Sequence, residues 1–164
     1  MGHVRIALWA GVIGITPGMV SAQSGEQASV LSASLRTHLR NEEFVAITAV
    51  AGLPIGVRDG LKSLFASPTL ELAEPGAEFQ ATDAIMKPNL PARRLILAGC
   101  SADHCLVYYE RGGIAHTQYI VVFQSTKAGA KFEWGGSAPS GLATLDELKR
   151  AVVSSEVRGK TAYW

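Results

Sequence analysis

The sequence predicts a single α+β domain: two N-terminal helices, an antiparallel sheet of four to five strands, and one C-terminal helix. Three observations carry this reading. Between residues 30 and 65, apolar residues recur at helical spacing. Between residues 92 and 135, short runs rich in β-branched and aromatic residues are separated by turn residues. From Thr144 onward a capping pattern opens a further apolar stripe at helical spacing.

The first 22 residues stand apart from that domain. His3 and Arg5 form a short basic start, and Ile6 to Ile15 is apolar and uncharged. Val20-Ser21-Ala22 places small residues before a cut at Gln23, the layout of a secretory signal peptide. The apolar run is far shorter than the roughly 20 residues that a membrane span requires. Residues 1–22 therefore read as a signal peptide and 23–164 as the mature domain, periplasmic or secreted. Processing removes Arg5, leaving 14 basic against 14 acidic side chains. That balance excludes the basic excess of a nucleic-acid-binding protein, and no polybasic run marks a membrane-surface partner.

Within the domain, Val30, Leu31, Leu35 and Leu39 predict a helix over 29–40, reaching toward Phe44 and Val45, with Arg36, Arg40, Glu42 and Glu43 on its outer faces. Gly52-Leu53-Pro54 stops it. Val57, Leu61, Leu64 and Phe65 predict a second helix over 55–65, interrupted by the poor helix former Gly60. Residues 70–72 and 77–82 read as short edge strands between proline-limited connections. Four strands follow, at 94–98, 106–109, 118–124 and 131–134, with a tight turn at Arg111-Gly112-Gly113. Both faces of this meander are fairly apolar, which predicts helices across one of them. Gly135 to Gly141 reads as a flexible loop. Thr144 with Glu147 then forms a capping box for a helix ending near Ser154, and Tyr163 and Trp164 close the chain.

The chemistry concentrates in Cys100-Ser101-Ala102-Asp103-His104-Cys105. These are the only two cysteines, each at the inner end of a predicted strand. In an exported protein they are expected to pair. The ring fixes Ser101, Ala102, Asp103 and His104, with Asp103 and His104 presented at its tip. Such a loop is either a local clip or a recognition device. As a recognition device it loses less ordering entropy on binding, and its imidazole donates or accepts near neutral pH. On that reading His104→Ala abolishes binding and leaves stability almost unchanged.

Enzymatic and metal readings find little support. Cys100, Cys105, His104 and His116 lack zinc-finger spacing, and the four-residue gap is not the two-residue gap of thioredoxin-like redox sites. Gly135-Gly136 lacks the Lys-Ser/Thr of a phosphate loop, and no nucleophile elbow is present. Ser101 and His104 inside one small ring do not make a triad. No catalytic residue, metal or cofactor is expected. His38 and Arg93-Arg94 read as solvated, His116 as a strand-face residue, and Tyr108, Tyr109, Phe123 and Trp134 as sheet packing.

A small exported α+β protein with strand, stapled histidine-bearing loop and strand resembles the Ivy-type inhibitors of vertebrate lysozyme, over about Leu95 to Phe123. In that family the loop reads Cys-Lys-Pro-His-Asp-Cys, and its histidine engages the catalytic carboxylates of lysozyme. Cys100, Cys105 and His104 carry over, while Asp103 and His104 stand in reversed order. The resemblance implies a non-enzymatic protein whose loop binds and inhibits a lysozyme-like cell-wall hydrolase. The alternative is an envelope module in which the disulfide is only a local clip.

Overall fold

The computed structural model describes residues 30–84 and 87–159. The signal peptide expected at 1–22 and the terminal Tyr163 and Trp164 lie outside the described residues. In order, the elements are α1 (Ala33–Asn41), β1 (Val45–Ile47), a 3₁₀ turn (Val50–Gly52), α2 (Ile55–Leu64), β2 (Arg93–Cys100), β3 (His104–Arg111), β4 (Thr117–Thr126), β5 (Gly129–Ala138), α3 (Leu145–Val153) and β6 (Arg158–Gly159). The strands form one antiparallel sheet in sequence order, β1 to β6. The fold is thus α+β, with six strands rather than four or five.

Ser32 caps α1 by accepting from the Leu35 backbone N–H at 3.1 Å. Leu35 and Leu39, one turn apart, are the helix's buried residues. The helix stops at Asn41 because Glu42 turns extended, and the β-branched Val45 and Ile47 then pair with Cys100 and Ala98 instead of prolonging it. In α2 the buried Val57 and Leu61 face the sheet. Gly60 has a packing reason: a Cβ there would stand 2.6 Å from the Phe123 ring. A Cβ at Gly56 would meet the Gly129–Ala130 backbone at 2.7 Å, so glycine lets the helix approach β5.

Both sheet faces are covered, where helices were expected over one. The 3₁₀ turn and α2 bury Leu53, Val57, Leu61 and Phe65 against Leu95, Val107, Tyr109, Val121 and Phe123. On the opposite face α1 and α3 bury Leu35, Leu39, Leu148 and Val152 against Leu106, Tyr108, Ile120, Val122 and Trp134. This explains why the strands read as apolar on both sides.

The edge strands expected at 70–72 and 77–82 are absent. Ala73 makes one isolated parallel bridge with Arg94, and the chain then turns at Pro75-Gly76. Gly135 to Ala138 belong to β5 rather than to a loop, since Gly135 and Gly136 pair with Val121 and Ile120, and Gly136 also faces Gly159 of β6.

The capping box of α3 forms as expected. Glu147 Oε2 accepts from the backbone N–H groups of Ala143 at 2.8 Å and Thr144 at 3.0 Å, while Thr144 Oγ1 accepts from Glu147 N at 3.2 Å. Thr144→Ala is expected to cost about 1 kcal/mol in urea unfolding. The N–H groups of Ala143 and Thr144 hold the Glu147 carboxyl below its ordinary range. Its stabilisation is therefore full above that range and is lost as pH falls through the lowered value. The gap in Tm between the wild type and Glu147→Gln is expected to close on acidification.

Candidate functional site: the stapled turn and the Glu42–His104 clasp

Strands β2 and β3 are joined by three residues, Ser101, Ala102 and Asp103. Ser101 N donates to His104 O at 2.8 Å, while the His104 N–H is taken by the Ser101 hydroxyl. Cys100 and Cys105, the last pair of the β2–β3 ladder, have Cα atoms 4.1 Å apart and are joined by a disulfide. Ala102 and Asp103 are exposed at the tip. The turn is fastened to β4, where Ser125 N donates to Asp103 O at 2.7 Å.

His104 does not stand at the tip with Asp103. It is the first residue of β3 and is only 4% exposed. The reason is strand alternation: His104, Leu106 and Tyr108 all point to the face covered by α1 and α3. There His104 Nδ1 lies 2.7 Å from Glu42 Oε1. A carboxylate only accepts, so Nδ1 carries the hydrogen and donates it. Ser101 Oγ donates to the other Glu42 oxygen and accepts from the His104 backbone N–H at 2.9 Å. Ser101 thus bonds the backbone of His104, not its ring, and no serine–imidazole nucleophile arises.

Glu42 was expected on an outer face of a longer helix. Because α1 ends at Asn41, the extended backbone at Glu42 turns its side chain inward, where it is 15% exposed. Lys149 of α3 donates to the Glu42 carbonyl at 2.6 Å, which ties the third helix to the same point. A second carboxylate arrives from β5. Val122 pairs with Trp134 but Phe123 with Phe132, leaving Glu133 unmatched at a β-bulge. The polar–apolar alternation read across 131–134 breaks here, so Phe132 and Trp134 pack on opposite faces. Glu133 Oε2 lies 3.6 Å from His104 Nε2.

The His38 ring stands 6.1 Å from that of His104. Beside them lies a cavity of about 170 Å³ lined by Ser32, Ser34, Leu35, His38, His104, Gln124 and Glu133. Sequence reasoning missed Glu42 and Glu133. Only the helix end and the bulge bring them in, and neither has a local signature.

The opposite end of the sheet carries a buried carboxylate. Glu110 is 5% exposed and accepts from Arg94 Nε and His116 Nε2, both at 2.6 Å. Arg93 and Arg94 are not a solvated strand start. Arg93 is buried with its guanidinium 4.0 Å from the Phe65 ring centroid, and Arg94 is held by Glu110. Burial lowers the Arg93 pKa and raises that of Tyr109, whose ring stacks on Tyr119. Among the described residues, no three His, Cys, Asp or Glu side chains are placed to hold a metal ion, and no helix is long and apolar enough to cross a membrane.

Comparison of the chain with known protein families, characterised proteins and solved structures finds no match.

Proposed function

We propose that the protein is an exported, non-enzymatic binding module that engages another envelope protein through its stapled turn, with a lysozyme-like cell-wall hydrolase as the partner class. The observation that carries the reading is an exposed Ala102–Asp103 tip clamped on every side. The disulfide holds its base, Ser101 and His104 are bonded to Glu42, and Ser125 holds Asp103. A tip ordered before contact keeps the binding free energy that a loose loop would lose to ordering. The disulfide also fits an oxidising compartment. In this reading Ala102 and Asp103 make contact, while His104 sets their position from inside.

A second reading is the plain structural clip. The burial of His104 favours it, since an imidazole committed to Glu42 is not offered to a partner. Inhibition of a lysozyme-like hydrolase by the purified protein separates the two. Binding through the turn predicts inhibition by the wild type and at least tenfold weaker inhibition by Asp103→Ala, at unchanged Tm because Asp103 is exposed. A hydrolase left untouched by excess wild-type protein leaves the clip.

A further inference from the structure

A cavity lies between the start of α1, the end of α3 and the β5–β6 edge of the sheet, and hydrocarbon dominates its walls. Leu31, Trp134, Val152 and Val157 line it, all members of the core cluster on that face. Val30 stands at its rim with 83% of its surface exposed. Arg36 also borders the space, but its guanidinium is tied down, with Nη1 donating to Val153 O at 2.7 Å. The volume is about 270 Å³, room for roughly nine water-sized groups or one aromatic side chain. Walls of this kind offer water few of the polar partners it needs.

The chain itself leads to an occupant. Arg158 and Gly159 form β6 and also line the cavity. β6 runs antiparallel to β5, with Ser137 opposite Arg158 and Gly136 opposite Gly159. A chain leaving Gly159 in that direction heads toward Trp134, on the cavity wall. The residues that follow are Lys160-Thr161-Ala162-Tyr163-Trp164. Such a stretch reaches roughly 17 Å when extended, and it ends in two large aromatics. The other segment adjoining the cavity, 23–29 ahead of Val30, holds no large apolar side chain. A tether this short keeps the aromatic pair at an effective concentration on the order of millimolar beside an apolar space.

We infer that Tyr163-Trp164 of the same chain occupies this cavity and closes the outer edge of the sheet. An aromatic ring there packs on Val30, Val152 and Val157, with the Arg36 guanidinium at the rim to meet its face. The inference is independent of the stapled turn and of any partner it binds.

The test is a nuclear Overhauser measurement on the mature protein, residues 23–164. The expected result is cross-peaks from the Tyr163 or Trp164 ring protons to the methyl groups of Val152 and Val157. These wild-type cross-peaks do not depend on any variant folding. Digestion with a lysine-specific protease gives a second reading. Cleavage after Lys160 is expected to be at least tenfold faster in Tyr163→Ser with Trp164→Ser, because a docked tail must open before the protease can cut. In a mixture of labelled and unlabelled protein, cross-peaks between chains would put the tail of a second copy in the cavity and overturn the inference. No cross-peaks in the wild type, or equal cleavage of the two proteins, overturns it as well and leaves the cavity to another partner.

Discussion

Replacing His104 by alanine is expected to lower the unfolding free energy by about 2–3 kcal/mol in urea titrations. Removing one member of a buried pair strands the other, at a cost of about 3–5 kcal/mol when burial is complete. Glu42 keeps 15% of its side chain exposed, so some water can reach it and the low end applies. The loss should be distributed rather than local, because Glu42 also receives Ser101 and its carbonyl receives Lys149. His104→Gln, whose amide can still donate to Glu42, should lose less than half as much. A double-mutant cycle with Glu42→Gln isolates the pair. This reverses the expectation from sequence that His104→Ala is silent in stability.

Removing the disulfide ranks next. Cys100→Ala with Cys105→Ala is expected to cost about 2 kcal/mol, the chain-entropy value for so small a ring. Alanine is the right replacement because Cys105 is only 1% exposed and a serine hydroxyl would be buried there. The fold should survive, since both core clusters extend well beyond the ring. Hydrogen exchange should report a local change. Protection is expected to fall at β1 and at residues 100–105, because Val45 pairs with Cys100 on a three-residue edge strand. The centre of β4, with neighbours on both sides, should keep its protection.

The sequence was most legible where local chemistry decides structure. The α3 capping box, the α2 stripe at Val57 and Leu61, and the four central strands all follow from residue type and period. It was least legible where tertiary contact decides. Val45–Ile47 continues an apolar helical pattern but becomes β1 because the edge of β2 is available to pair with it. Gly135 and Gly136 look like a loop yet sit in β5, and at Gly136 a Cβ would meet the Arg158 carbonyl of β6.

The candidate site divides in the same way. The cysteine pairing follows from the short spacing together with the expected oxidising compartment, and of the two residues expected at the tip, Asp103 is exposed while His104 is not. The inward turn of His104 depends on strand phase, which a short ring does not fix by itself. Glu42 arrives through a helix end and Glu133 through a bulge, so the carboxylates around the imidazole come from positions 62 and 29 residues away.

Calorimetric titration of a lysozyme-like hydrolase with the wild type and with Asp103→Ala tests the central claim most directly. The account predicts saturable binding of the wild type and at least tenfold weaker binding of Asp103→Ala, with both proteins melting at the same temperature. Equal affinity of the two proteins, or no heat of binding from the wild type, would contradict it.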